Sequence, residues 1–467
     1  MLPASTNQRA NSLAARDRIF LSLLAAAACL VGLRGMSRYG YIGQDFLYHR
    51  GLILTFPYTP WSFSYSQTSP PALYYLGSLI HSYVSAKYYL AIIALGFLAF
   101  NVLGLWVIYG LLWKSIADWQ LRYSAAAFIT FLPFRVIHSI VIAADAFTLP
   151  VFALVALFTF RLFENPRDGR SWAGMSLCLS FGMVCKYTFS GMLPVMALLM
   201  AVAIGTRLTR GERLRWGAIG TLALAVPSAL FLLQMREIDR VKGAFTGVVW
   251  LQKGEPSVMR WSDILLLKRS DLSLLSAPDY FRDKIYEERK HSYLGLLHVS
   301  SVTDVMDLFQ APPGKVSTDW LQRTRKPFFR ERTALSQALQ TWSDRWCLVY
   351  SALAIAGTLF CGFLSGKSLL LRRPFLPNAA IVMTAMAVGY YSPILFSLTR
   401  LVDPYAAGFW LPRLVLPALV VFFGLGFVML DSLYERLGRR QPALKALLGA
   451  FTGYTLVACL LFIGFLA

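Results

Sequence analysis

Long apolar runs organise this chain, in place of strand-like alternation or a helical stripe. Stretches such as Ile19 to Gly32, Ala91 to Trp113 and Ala446 to Leu466 carry no charge. Most approach the roughly 20 residues that a helix needs to cross about 30 Å of hydrocarbon. An unpaired backbone amide in lipid is costly, so such runs are expected to be helices. The pattern predicts eleven, at about 19–36, 89–113, 121–138, 146–163, 172–187, 189–206, 216–235, 346–366, 376–398, 413–430 and 446–466. Two stretches break the pattern. Residues 37–88 are rich in Tyr, Pro and Ser and read as short interfacial helices with aromatics at headgroup depth. Residues 237–344 form a polar insert expected to hold short packed helices, because compact proteins seldom carry a structureless loop of that length. The expected class is an all-α polytopic transmembrane bundle with a mainly helical extracytoplasmic cap. Its parts are an N-terminal module, 1–236, the cap, 237–344, and C-terminal helices, 345–467.

Composition agrees. The chain is 57% hydrophobic and 15% charged, against about 25% charged in a soluble domain, which excludes a water-soluble globule. A net charge of +21 would suit nucleic acid, but the basic residues sit mainly in short gaps between apolar runs. With the N-terminus inside, every inner segment is basic: Arg16 and Arg18, Lys114 and Arg122, Arg161 and Arg167, Arg207 to Arg215, Lys367 to Arg373, Arg436 to Lys445. That is topogenic charge, and no nucleic-acid partner is expected. The six cysteines lie in or beside apolar runs without a C-x-x-C spacing and read as packing residues. No A-x-A cleavage site follows the first run, so it is expected to be a retained helix.

Sorting the 24 acidic residues leaves three outside the inner segments and the insert: Asp45, Asp145 and Asp403. A charge beside hydrocarbon needs a partner or a task, although Asp145 also has the simpler option of capping the helix that begins beside it. The outer side holds cations that topology does not require: Arg50, Lys87, Arg135, Lys186, Arg400 and Arg413. Snorkelling anchors are one reading; together they suggest an anionic ligand, with a lipid phosphate as the natural candidate. The five histidines also fall at or beyond the outer boundary, with no close ligand spacing.

These positions carry a family resemblance. Gly43-Gln44-Asp45-Phe46-Leu47-Tyr48-His49 resembles the first outer loop of the GT-C glycosyltransferases, in particular the protein O-mannosyltransferase and aminoarabinose transferase branch. Ser69-Pro70-Pro71-Ala72-Leu73-Tyr74-Tyr75-Leu76 is similar to that family's H-P-P-L-Y-Y-L element, with Ser69 in place of histidine. Ala144-Asp145-Ala146-Phe147 is similar to D-A-x-L, Cys185-Lys186-Tyr187-Thr188 to a T-K-x-x turn, and Trp410 to Pro417 to an R-Y-x-L-P element. Phe46 follows Asp45 where many protein O-mannosyltransferases have glutamate. The resemblance implies a GT-C-like fold and a polyprenyl-phosphate sugar as donor. It implies inverting transfer at the outer face, with a glycan, lipid or protein acceptor and membrane lipids as the surroundings.

The residue types suit that chemistry. An attacking hydroxyl needs a carboxylate to take its proton, and Asp45 is the candidate base, with Asp145 orienting a cation or sugar hydroxyl. A phosphate leaving group needs fixed cations, and Arg50, Lys87, Arg135, Lys186 and Arg413 are the candidates. Such a ring of cations makes a divalent metal or other cofactor unnecessary, and none is expected. Tyr48, Tyr74 and Tyr75 are candidates to pack on sugar or lipid, with Tyr293, His298 and Asp304 of the cap at the acceptor entrance. The expected location is a bacterial inner membrane with the site facing outward. A secondary transporter or lipid flippase, an outer-leaflet polysaccharide polymerase or ligase, and a non-catalytic subunit are the rival readings. A transporter would usually place its ionisable groups near mid-membrane in broken, repeated helices.

Overall fold

The computed structural model describes residues 14–39, 46–55, 71–242, 259–276, 289–302, 310–311, 330–331, 333–371, 375–399, 412–438 and 441–466. Asp45, Asp304 and Asp403, with the side chain of Tyr48, lie outside the described residues. The chain is an all-α, multi-pass membrane bundle. Among the described residues nine helices are long and apolar enough to span.

The first part runs through α1 (Ala15–Tyr39), α2 (Phe46–Thr55), α3 (Ala72–Tyr83), α4 (Tyr89–Ser115), α5 (Trp119–Phe131) and α6 (Pro133–His138). It continues through α7 (Thr148–Glu164), α8 (Gly169–Cys185), α9 (Met192–Arg207) and α10 (Arg210–Lys242). Short helices α11 (Trp261–Leu265), α12 (Asp271–Ser276) and α13 (Tyr293–Val302) follow. Two parallel two-residue strands then pair Gln310 with Arg330 and Ala311 with Glu331. Four helices close the chain: α14 (Ala334–Leu371), α15 (Asn378–Leu398), α16 (Leu416–Leu437) and α17 (Pro442–Leu466).

One end of the bundle gathers the basic connections and is locked by carboxylates. Asp17 accepts from Arg122 at 3.0 Å and from the Tyr109 hydroxyl at 2.6 Å, tying α1, α4 and α5 together. Asp431 at the end of α16 accepts the backbone N–H groups of Ala117 and Asp118 at 2.7 and 3.0 Å. Asp118 and Asp168 then cap α5 and α8 by accepting the first free N–H groups of each helix. The capping signal is local, so both helix starts are fixed by sequence alone.

At the opposite end the helices stop at different heights. The continuous span expected over 121–138 breaks at Leu132, because Pro133 has no N–H to continue the ladder; α5 is left with 13 residues and α6 with 6. Helices α7 and α8 have 17 residues each and α9 has 16. Around them stand α4 with 27, α10 with 33 and α14 with 38. At 1.5 Å per residue, α7 and α8 climb about 26 Å and α4 about 40 Å. The short helices are therefore the ones whose ends at this side must be satisfied by other protein groups. The backbone linking α5 to α7 is irregular, and every residue from Phe128 to Ala153 is buried. Irregular backbone at membrane depth is tolerable only when protein covers it. Asn101 of α4 helps, donating to the Ala146 carbonyl at 2.9 Å.

The longer helices are held by close contacts of the small-residue kind. Gly426 of α16 faces α14, where an added Cβ would lie 2.9 Å from the Leu353 carbonyl carbon and oxygen. Gly424, two residues earlier and so on the opposite face of α16, looks into a small apolar pocket among α4, α5, α7, α15 and α16, and its Cβ would meet nothing nearer than Leu112 at 3.4 Å. The two glycines should therefore respond oppositely to alanine. Gly426→Ala is expected to destabilise by about 1–3 kcal/mol through overpacking. Gly424→Ala is expected to stabilise by about 0.5–1 kcal/mol through helix propensity. Thermal unfolding of both variants in one detergent checks the sign of each.

Candidate active site

The charged groups converge where the short helices end. Asp145 lies in a 3-10 turn, Ala144–Phe147, that leads into α7. Its side chain does not cap that helix. Its backbone carbonyl accepts from the Thr148 hydroxyl at 2.7 Å, which frees the carboxylate to pair with Lys186. Lys186 is the residue at which α8 stops, in extended backbone between α8 and a second 3-10 turn, Tyr187–Gly191. Asp145 also lies within electrostatic reach of Arg413 and His138. Arg413 comes from a third 3-10 turn, Pro412–Leu414, which packs on α6, α13 and α16. Four helix ends, those of α6, α7, α8 and α16, thus bring an acid, two cations and an imidazole to one place. The side chains of Asp145 and Lys186 are 6% and 18% exposed, so the pair is sheltered without being sealed.

Packing beneath the cluster fixes its height. Gly191 sits against the Gly389 carbonyl and Pro393 of α15 so tightly that a Cβ on either glycine would collide. Gly182, one turn before Lys186, is matched by Phe189, whose ring would lie 2.6 Å from an added Cβ. The fully buried Tyr390 meets Phe189 and Phe152 edge-on and sets its hydroxyl beside Thr188 and Thr148. The Gly191 and Tyr390 contacts pin the Lys186 turn to α15, and the Gly182–Phe189 contact folds it back on α8.

The other sequence-derived residues spread around this cluster. Arg135 on α6 is 1% exposed, and its Nε and Nη1 find no hydrogen-bond partner among the described residues. Tyr74 of α3 is also buried and shares a 3.0 Å hydrogen bond with His49 of α2. Tyr75 on the same helix is exposed. Arg50 and Lys87 are exposed, with Lys87 over the Tyr88 ring at 5.2 Å. No described ion pair or hydrogen bond joins either to Asp145. Sequence reasoning placed His138 only among the outer histidines, named Thr188 only as part of the Lys186 motif, and missed Tyr390 and Thr148 entirely. His138 stacks on Phe134 four residues before it, and that i, i+4 spacing was its one available signal.

The cap meets this region through α13, which packs on α6 and on the Arg413 turn. His298 spans α13 and α14. Its Nε2 donates to the Asp344 carbonyl at 3.1 Å and its Nδ1 accepts from the Ser351 hydroxyl at 2.7 Å. Burial pushes this ring down to about 4, against the pull of the Asp344 carbonyl, so it is neutral at pH 7. Asp271 holds α12 to the start of α13. It accepts the Ser292 N–H at 2.8 Å and the Ser292 hydroxyl at 2.6 Å, while His291 Nδ1 lies 3.5 Å away. Gly295 leaves room for it, since a Cβ there would fall 2.6 Å from the Asp271 carboxyl carbon. Burial raises the Asp271 pKa, but hydrogen bonds from His291, Ser292 and the Lys268 N–H outweigh it and hold the carboxyl below its usual range.

No family model and no curated protein matches this chain. Among solved structures it is similar to the S. cerevisiae protein O-mannosyltransferase Pmt1-Pmt2 complex bound to the sugar donor, at 14% identity and a TM-score of 0.41. That match covers 48% of this chain and 34% of the mannosyltransferase chain, so this protein spans about a third of its length. It is also similar to ArnT from Cupriavidus metallidurans. With ArnT bound to undecaprenyl phosphate the identity is 14%, the TM-score 0.36, and the coverage 91% of this chain and 79% of that one. With ArnT in the apo state the values are 15%, 0.36, 91% and 78%. At this level of likeness the reading of the site rests on its own residues.

The geometry of the ion cluster predicts an asymmetric response. Removing one partner of a buried pair costs about 3–5 kcal/mol. Asp145→Asn removes the carboxylate that faces both Lys186 and Arg413, whereas Lys186→Met leaves Asp145 facing Arg413. Asp145→Asn should therefore lower the unfolding temperature more, and Asp145→Asn/Lys186→Met should recover part of the loss. The opposite order would show that Arg413 is not a second counter-ion. The Asp271 latch predicts a pH dependence. Its folded pKa lies below the unfolded value of about 4. Its contribution is therefore complete above pH 4 and is lost as pH falls through the folded pKa. Hydrogen exchange across 289–302, corrected for intrinsic rates, should be slow and pH-independent from pH 7 to 5 and faster below 4. In Asp271→Asn it should be faster at pH 7 and flat.

Proposed function

We propose that this protein is a membrane glycosyltransferase that moves a sugar from a polyprenyl-phosphate donor to an acceptor hydroxyl at the extracytoplasmic face, with inversion. The observation that carries this reading is the convergence of Asp145, Lys186, Arg413 and His138 from four helix ends at one side of the bundle. A lipid phosphate carries its charge at the headgroup plane, and a hydrocarbon-level site can accept it only if fixed cations wait there. Lys186 and Arg413 supply two, and Asp145 holds Lys186 in place without cancelling both. The depth also suits a headgroup. The cluster stands about 26 Å above the basic end, measured along α7, which is near one face of a roughly 30 Å core. A substrate site at the midplane, as in many transporters, would sit about 10 Å lower, where the described lining is apolar.

In this reading the acceptor oxygen attacks the anomeric carbon from the side opposite the phosphate. A new C–O bond forms as the sugar–phosphate C–O bond breaks, and its electron pair leaves with polyprenyl phosphate. The acceptor proton passes to the Asp45 carboxylate. The departing phosphate gains charge, which Lys186 and Arg413 meet directly and Arg50, Lys87 and Arg135 meet as the lipid enters or leaves. Tyr48, Tyr74 and Tyr75 are the candidates to pack on sugar or lipid, and the cap reaches the ion cluster through α13, which packs on α6 and on the Arg413 turn. Transfer of this kind needs no divalent metal, because lysine and arginine neutralise the phosphate. The motif resemblance of the outer loops supports the same assignment, and a bacterial inner membrane suits the basic inner segments.

The test uses purified protein and a synthetic polyprenyl-phosphate sugar. Asp45→Asn should abolish turnover while leaving thermal unfolding unchanged. Arg413→Ala should lower kcat/KM for the donor by about 10²–10³, the cost of losing one preorganised charge donor, with no change in acceptor KM. Full activity in Asp45→Asn removes the proposed base. An Arg413→Ala effect confined to the acceptor removes the phosphate assignment.

A further inference from the structure

The cap carries a second surface that glycosyl transfer does not explain. Between Met259 and Leu274 the chain separates into two faces. Met259, Ile264 and Leu274 are almost fully buried against the rest of the protein. Trp261, Leu265, Leu266, Leu267 and Leu272 point outward and are 56–65% exposed. Five large apolar side chains within twelve residues make a contiguous patch of the sort that marks a membrane or protein contact. Its borders are basic. Arg260 and Arg269 are exposed at the two ends, and Lys268 is drawn aside into a 2.9 Å ion pair with Asp263.

The height of the patch identifies its partner. Helix α11 packs on α13, and α12 packs on both α13 and α14. His298 ties α13 to α14 at Asp344 and Ser351. The uncharged run of α14 starts after Arg345 and lasts to Gly366, so Ser351 lies about 9 Å inside it. Helix α13 therefore stands beside the first turns of a spanning segment, with α11 and α12 packed around it at the level where hydrocarbon gives way to headgroups. A tryptophan, four leucines and flanking arginines at that level are the composition of an interfacial anchor.

We propose that residues 260–272 form a membrane-surface paddle. Trp261, Leu265, Leu266, Leu267 and Leu272 embed in the lipid leaflet, and Arg260 and Arg269 bind the headgroups of anionic phospholipids. The inference rests on the membrane fold and not on the proposed reaction, so it stands whether or not the protein transfers sugar. The paddle is fixed to α13 through Asp271 and Ser292, and α13 packs on the Arg413 turn. Lipid embedding therefore braces the Arg413 turn through α13.

The experiment places an environment-sensitive label on Leu266→Cys in the full-length protein, in nanodiscs of phosphatidylcholine and phosphatidylglycerol. Leu359→Cys, exposed on the middle of α14, serves as the lipid reference, and Arg210→Cys, exposed at the basic end, as the water reference. Brominated lipid should quench the Leu266 label nearly as well as the Leu359 label, while aqueous iodide should not reach it. Removing one cation with Arg269→Gln, or omitting phosphatidylglycerol, should shift the lipid-quenched to iodide-quenched ratio toward water, by about fivefold for a single cation. Quenching by iodide alone overturns the proposal, because the patch then faces water. Shielding from both quenchers also overturns it, because protein then covers the patch. Insensitivity to both phosphatidylglycerol and Arg269→Gln overturns the assignment of anionic headgroups. Thermal unfolding of each labelled variant confirms that it is folded before the quenching is read.

Discussion

A bilayer gives an unpaired backbone amide nothing to bond, and the architecture of this protein follows from that constraint. Helices that cross fully satisfy it alone. Helices that stop early must hand their free ends to other protein groups. Here α5, α8 and the chain before α7 all stop early, and burial of every residue from Phe128 to Ala153 is the structural response. The Asp145–Lys186 pair belongs to the same solution. A charge placed where lipid would otherwise reach needs a counter-charge, and the two residues come from neighbouring broken ends. The broken helix ends, their charges and the buried chain around them are thus one feature seen at three scales.

The long helices were plain in the sequence, because twenty uncharged residues in a row leave few alternatives. The weak places were the short ones. A single helix over 121–138 was a fair reading of apolar content, but Pro133 removes one N–H, and the chain behind it has enough neighbours to fold irregularly. Asp118 and Asp168 announce their helices by local capping, which a sequence can show. The Gly191–Gly389 contact, by contrast, joins residues almost two hundred positions apart, and nothing near either glycine signals it.

The site was partly legible for a related reason. Asp145, Lys186 and Arg413 stood out because charge is rare at the outer ends of apolar runs, so position alone was informative. Their meeting was not legible, since it depends on three turns brought together by tertiary packing. His138 and Tyr390 were harder still. A buried histidine or tyrosine in an aromatic-rich membrane chain looks like any other packing residue until its neighbours are known. Residues 261–272 illustrate the reverse case: their apolar content was visible, but only the buried and exposed faces distinguish an anchor from a core.

The step between short and long helices has a consequence for the membrane around it. A span longer than the local hydrocarbon tilts or thickens the bilayer, and one that is shorter thins it. Helices α10 and α14, with 33 and 38 residues, can lean as acyl chains shorten, but the chain from Phe128 to Ala153, buried at every residue, is held by protein and cannot follow. Acyl-chain length therefore sets how far a headgroup must descend to reach Lys186. In that sense the lipid composition of the host membrane is a dimension of the binding site itself.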